Sequence, residues 1–467
     1  MAGLSDAFER IGRFLEDRLP LMHAAGAALA VTDRDEILGV VVRGFADAAS
    51  GTPVRPETRF QIGSISKSFA GIVAVQEAIA GRLDLHAPVA DLLPWVELPQ
   101  PYGPITVHHL LSHTSGLPTG TEDAPGELAA VWNLRHAVPG FAPGERFWYS
   151  NDGYKLAGLI LERVTGRSVP ELLRERVLEP LGMRHTVAAI TNDVRTDLAT
   201  GYATIHDDRP PHRDHPLAPA AWSVSDSADG SIVSTVVDMT AYARMLLAGG
   251  APVLSPEGFA WLTTPVTEGG DPAHPTFGYG YGLYVGREDG RRRIFHTGGM
   301  IGFTALLMVD PEDGLGVVML LNGSGPRRPT GRFALACVRS ALAGEPLPEV
   351  RHLDPAAVSN AEDFAGRYEG EGRSFDVVAS GGGLLLCEGA VRAPLEPDAD
   401  EGDPPPDAFL VRHPELDRFR VVFGRDGSGR VVEASHGADR LRRAGAPPAD
   451  RADLPAEWRG FVGAYRS

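Results

Sequence analysis

Ser64 and Lys67 stand three residues apart in Phe60-Gln61-Ile62-Gly63-Ser64-Ile65-Ser66-Lys67-Ser68-Phe69, and Phe69, Ile72, Val73 and Ile79 follow at helical spacing. The pattern predicts Ser64 at a helix start with Lys67 on the same face. There the amine reaches the hydroxyl, and the helix N-terminus favours the negative charge that develops in acyl transfer. Such a serine is a candidate nucleophile; a helix-capping serine with an unrelated lysine is the competing reading. Of 44 basic residues only Lys67 and Lys155 are lysine. A buried lysine can release its proton and an arginine cannot, which marks Lys67 for proton chemistry, whereas Lys155 is read as incidental.

Two further segments carry polar groups where a substrate would need them. Phe147-Trp148-Tyr149-Ser150-Asn151-Asp152 sets a phenol and an amide two residues apart, just before an apolar helical run. A phenol held between two cations can lose and relay a proton, and an asparagine amide can orient a lysine or grip a carbonyl. Phe295-His296-Thr297-Gly298-Gly299-Met300 reads as a strand edge followed by glycines that let a substrate approach the backbone. Each segment alone is equally compatible with a packed loop or a plain hairpin.

The elements that must position these groups follow from the patterning. Residues 4–19 form an amphipathic helix that Pro20 stops, and Gly26–Thr32 and Ile37–Gly44 read as a hairpin. Stretches near 64–81, 106–113, 152–165, 169–178 and 238–248 are helical. Strands return at Phe295–Thr297, Phe303–Val309 and Leu315–Leu321, with a helix near 330–343 behind them. Terminal strands around a helical middle predict an α+β domain over 1–345, with one antiparallel sheet shared by both ends and an all-helical insertion. A linker spans 344–360. Beyond it, short runs at 375–378, 383–387, 409–411, 418–423 and 430–434 predict a small antiparallel barrel over 361–467. Phe364-Ala365-Gly366-Arg367-Tyr368 and Phe461-Val462-Gly463-Ala464-Tyr465 are similar pentapeptides at its two ends.

Composition narrows the class. The 467 residues carry a formal charge of −17, which gives no net attraction to nucleic acid or anionic lipid and leaves small molecules and peptides as substrates. Cys337 and Cys387 lie far apart and away from metal-ligand spacing, so buried free thiols are expected, and neither a disulfide framework, a metal nor another cofactor is implied. Acids in the first ten residues and the lack of a long apolar run give a cytoplasmic expectation.

Taken together, Ser64-x-x-Lys67, Tyr149-x-Asn151 and His296-Thr297-Gly298 make residues 20–345 resemble the serine β-lactamase and penicillin-binding-protein superfamily. The resemblance implies a β-lactamase-like α/β sandwich with an all-helical subdomain, followed by a lipocalin-like antiparallel β-barrel. It also implies roles. Ser64 is the acylated nucleophile, Lys67 and Tyr149 share base and acid work, and Asn151 positions. The N–H groups of Ser64 and Gly299 form the oxyanion hole, and His296, Thr297 and Gly298 meet the substrate. His108, His109 and His113, in a segment typical of the superfamily, are scaffold.

Where relatives carry Lys-Thr-Gly, this chain has His296, a mostly neutral group that weakens recognition of a free carboxylate. That variant, with one barrel, resembles D-aminopeptidases, certain esterases and, most of all, penicillin-binding-protein-type thioesterases that release and macrocyclise nonribosomal peptides. A peptidyl thioester on a carrier protein, or a D-residue-containing peptide, is then the expected substrate, with Arg466 either reaching back over the cleft or standing as an exposed terminal arginine without a role. A D-stereospecific aminopeptidase or amidase, a carboxylesterase and a catalytically silent ligand-binding protein are the alternatives.

Overall fold

The computed structural model describes residues 3–120, 126–206, 208–267, 271, 274–325, 327–350, 356–398 and 407–446. It divides into two compact units, Met1–Ala203 with Leu217–Val350, and Thr204–Pro216 with Arg351–Ser467. The short segment Thr204–Pro216, which sequence patterning left inside the first domain, is grouped with the second.

The first unit is built on an eight-stranded antiparallel sheet. Its order is Thr52–Pro53, Ile37–Asp47, Ala24–Thr32, Leu315–Gly323, Phe303–Asp310, Arg291–Met300, Tyr284–Glu288 and Phe277–Tyr279. The first long strand and the last are therefore neighbours, in register from Ala27 opposite Leu321 to Thr32 opposite Gly316. All nine residues of Leu315–Gly323 are buried, because both faces of the sheet are covered. Alternation divides them. Val318 and Leu320 enter the core shared with the helices Ser66–Ile79 and Val236–Leu247, while Val317, Met319 and Leu321 enter the core under Leu4–Arg18 and Arg327–Ala343. Phe14 stacks on Phe333 at 4.2 Å between those last two helices.

The helices Val107–Leu111, Asn151–Thr165 and Val169–Leu173 fall where helical spacing placed them. Those at Val89–Leu92, Glu127–Asn133 and Pro256–Thr263 were not legible, being short or lacking a sustained apolar period. Among the described residues no helix is long and apolar enough to cross a membrane. Cys337 is buried, its thiol pushed up to about 11 by burial, and Cys387 is half-buried; both are free.

In the second unit eight strands between Gly366 and Arg443 form a closed antiparallel barrel, completed where Tyr368 and Glu369 pair with Arg443 and Arg442. Five of these strands were foreseen. The other three are the four-residue Gly366–Glu369, the proline-containing Val391–Pro397 and the arginine-rich Asp439–Arg443, none of which has an apolar run. Phe364, Tyr368, Phe375, Phe409 and Phe423 fill the interior with aliphatic side chains, as expected for a barrel of this strand number. In the first pentapeptide the Tyr368 hydroxyl donates to the Phe364 carbonyl at 2.7 Å. Removing it in Tyr368→Phe should cost about 1 kcal/mol, read as a lower melting temperature of the barrel transition. The second pentapeptide, Phe461–Tyr465, lies outside the described residues, and the ring closes without it.

Candidate active site

Ser64 sits in a one-turn 3₁₀ segment, Gly63–Ile65, that leads directly into the helix Ser66–Ile79. It therefore precedes the α-helix proper. The turn is clamped on several sides. Ile62 N–H donates to the Ile232 carbonyl at 3.0 Å, Ile232 N–H donates to Ser66 Oγ at 3.1 Å, and Arg59–Gln61 pairs with Val233–Thr235.

Two glycines allow the turn to press on the strand Arg291–Met300. Gly63 has φ +52°, and a side chain there would meet the Gly299 backbone at 2.6 Å. A side chain on Gly298 would lie 1.9 Å from the Ile62 carbonyl, whereas one on Gly299 would enter open space. The two positions thus respond oppositely. Gly298→Ala should displace the Ser64 turn and lower both activity and melting temperature, while Gly299→Ala keeps the fold and only narrows the cleft. Thermal unfolding of the pair, measured with turnover, checks this.

Lys67 is completely buried. Its Nζ lies 3.0 Å from Ser64 Oγ and donates to the Asp229 carbonyl at 2.7 Å. The faces of Tyr149 and Tyr154 lie 5.0 and 5.6 Å from it. Burial lowers its pKa to about 8, partly opposed by Asp229 and assisted by Lys155. About a tenth of the amine is thus neutral at pH 7 and about half near pH 8, able to accept the Ser64 proton.

Tyr149 shares a hydrogen bond with the Ser64 side chain, but desolvation pushes its pKa up, so the phenol is protonated at rest. Among the described residues no second cation acts on it. His296 is buried, and burial together with Lys67 lowers its pKa to about 3. Its Nδ1 lies 2.5 Å from the Thr297 carbonyl and its Nε2 2.9 Å from the Tyr279 hydroxyl. A neutral ring donating from Nδ1 and accepting at Nε2 satisfies both contacts. His296 therefore has no N–H to offer a substrate and is not part of the cavity wall, in contrast to its expected catalytic place. Half-buried Thr297 and buried Gly298 are not among the residues that line the cavity either. Arg466 falls outside the described residues.

His113 holds the Tyr149 segment from both sides. Its Nδ1 accepts from Ser150 N–H at 3.0 Å, its carbonyl accepts from Trp148 N–H at 2.7 Å, and its ring lies 4.2 Å from that of Tyr149. It adopts φ +57°, a left-handed conformation held by these bonds. Its scaffold role is thus specific, the placement of one phenol.

A cavity of about 880 Å³ opens over Ser64. Asn151, at the first turn of Asn151–Thr165, and Gly299 line it, with Ile190, Val224, Met300 and Ile301 supplying apolar surface. Lys155, read from sequence as incidental, also lines it, its Nζ 2.9 Å from buried Asp152. Glu127, Asp226 and Asp229 were not foreseen at all; they stand in segments without a recognisable motif. No group of residues suited to hold a metal ion occurs among those described.

Residues 19–339 match the Beta-lactamase family. The chain belongs to that family. It is the superfamily of serine hydrolases that includes the penicillin-binding proteins. Penicillin-binding protein 4 of Amycolatopsis lactamdurans is 30% identical over 372 residues, covering 75% of this chain and 94% of that one. Protein flp of Staphylococcus aureus strain MW2 is 25% identical over 327 residues, 68% of this chain; the match spans 64% of that relative's length. Among solved structures, the octameric penicillin-binding protein homologue from Pyrococcus abyssi aligns with TM-score 0.65 at 25% identity, over 94% of this chain and 99% of that one. SurE shares the fold with TM-score 0.57 at 24% identity, over 94% and 98%, and has also been solved with D-Leu.

Proposed function

We propose that this beta-lactamase family member is a serine acyltransferase that works through an acyl-enzyme on Ser64, taking a peptidyl thioester as donor and an amine of the same peptide as acceptor. The observation that carries the reading is the 3.0 Å contact between Ser64 and a buried lysine whose pKa is lowered to about 8. Neutral Lys67 accepts the Ser64 proton as Oγ attacks the thioester carbonyl. The C–O bond forms, the C–S bond breaks, and the thiol leaves with a proton returned through Lys67 and Tyr149. The N–H groups of Ser64 and Gly299 stabilise the oxyanion. The acceptor amine then attacks the acyl carbon, its proton passes to Lys67, and Ser64 is released with the new C–N bond made.

A neutral His296 with both nitrogens engaged supports a substrate without a free carboxylate at that strand, as an acyl thioester is. The cavity volume accommodates a peptide segment. The filled barrel interior speaks against a silent ligand carrier. D-stereospecific amidase action on the same acyl-enzyme is the second reading, favoured by the fold shared with SurE, which has been solved with D-Leu.

Mass spectrometry of the products from a linear peptide thioester with a D-residue at its C-terminus decides between them. A cyclic product, lighter than the free acid by one water, is expected. Free acid alone, or preference for a D-aminoacyl amide, would replace the cyclase reading by the amidase one.

A further inference from the structure

Glu127, Asp226 and Asp229 line the Ser64 cavity beside its apolar residues, and one carboxylate oxygen of this set has no hydrogen-bond partner among the described residues. Glu127 opens the helix Glu127–Asn133, and its Oε1 is shut off from solvent with no hydrogen-bond partner among the described residues. A carboxylate oxygen in that state carries the full desolvation cost of an unmade bond. Burial, then Asp229, Glu162 and Asp226, push its pKa up to about 8, and only Lys155 opposes them. Lys155 is already paired with Asp152, which is itself completely buried, so it does not neutralise the wall.

The space does not end at Glu127. A second cavity of about 490 Å³ shares Gly126, Glu127 and Asp226 with the first and continues along Leu128, Leu159 and Glu162. An extended substrate acylated at Ser64 thus passes an acid with one unpaired oxygen, at the junction of two open volumes. The cation missing from that junction is then brought by the substrate.

Building on the acyl-enzyme reading above, we infer that Glu127, with Asp226 and Asp229 lining the same cavity, is the specificity element for a substrate ammonium group. A primary ammonium fits the wall better than a hydroxyl or a carboxylate, since it donates to the orphaned oxygen and offsets the mutual repulsion of the acids. The group comes either from the acyl donor, as its own amine, or from the acceptor that opens the acyl-enzyme. For an acceptor the wall has a further consequence, because Glu127, ionised at and above about pH 8, can take the proton that an ammonium must shed before it attacks.

The test uses the full chain and two N-acetylcysteamine thioesters, D-alanyl and N-acetyl-D-alanyl, with D-alaninamide as an added acceptor. Wild type should prefer the free ammonium in one arm. This is either D-alanyl over N-acetyl-D-alanyl thioester in kcat/KM, or D-alaninamide over water in product ratio from the acetylated donor. The first locates the ammonium on the donor, the second on the acceptor. Glu127→Gln should reduce that preference by about 10- to 100-fold, Asp226→Asn by less, and Glu127→Asp should restore part of it. Equal preference in wild type and Glu127→Gln, with Ser64 still labelled by a fluorophosphonate, would overturn the ammonium assignment and leave the acyl-enzyme reading standing. Absence of both labelling and Ser64-dependent turnover would overturn the reading beneath it, and the assignment with it.

Discussion

Ser64→Ala should abolish thioester turnover, with kcat falling on the order of 10⁴-fold or more, while the chain keeps its melting temperature. The size of the effect follows from the absence of any other hydroxyl within reach of Lys67 Nζ among the bonds it makes, which go to Ser64 and the Asp229 carbonyl. Stability is spared because the turn is held through Ile62, Ser66 and the Arg59–Gln61 pairing, none of which uses the Ser64 side chain. Intact-mass measurement during turnover adds the direct evidence. Wild type should carry the acyl group and Ser64→Ala should not. Retained turnover in the alanine variant would end the acyl-enzyme reading.

Lys67→Arg is the second large loss, about 10³-fold in kcat/KM, because a guanidinium keeps its proton throughout the usable pH range. The wild-type pH profile carries the same information. Burial lowers Lys67 to about 8, so below that pH the amine is increasingly protonated and unable to accept the Ser64 proton. The rate should therefore rise with pH through about 8 and level off above it. Tyr149 is pushed the other way, so a profile governed by the phenol would still be climbing where the lysine profile is flat. His296, lowered to about 3, contributes no inflection near neutrality. A profile flat from pH 6 to 9 would contradict the assignment of Lys67 as base.

Ser64, Lys67, Tyr149 and Asn151 could be found in the sequence because each pair lies within one turn of chain, and local spacing suffices to propose their meeting. The sheet was legible for a similar reason, since the strands Ala24–Thr32 and Leu315–Gly323 are nearly continuous apolar runs. What governs the charges was not legible. The carbonyl that takes a bond from Lys67 belongs to Asp229, 162 residues away, and the phenol that silences His296 belongs to Tyr279. From sequence His296 looked like a donor, and only packing reveals that its nitrogens are spent. Lys155 was set aside for lack of a motif, although its rarity in an arginine-rich chain was the one signal that pointed to it. Glu127 offered none, because an acid at the start of a short helix is an ordinary surface feature until a cavity is found behind it.

The adjacency of the first and last long strands also orders events during synthesis. Gly26 N–H is bonded to the Asn322 side chain, 296 residues later, and the Ser64 turn rests on Gly298 and Gly299. A nascent chain therefore exposes the N-terminal hairpin and the serine long before the strands that complete the sheet leave the ribosome, and it can assemble no reactive site until they do. Folding of this unit is governed by late, distant contacts, which slow the search and leave an unpaired strand edge waiting. The barrel, whose strands pair mostly with their sequence neighbours, faces no such delay.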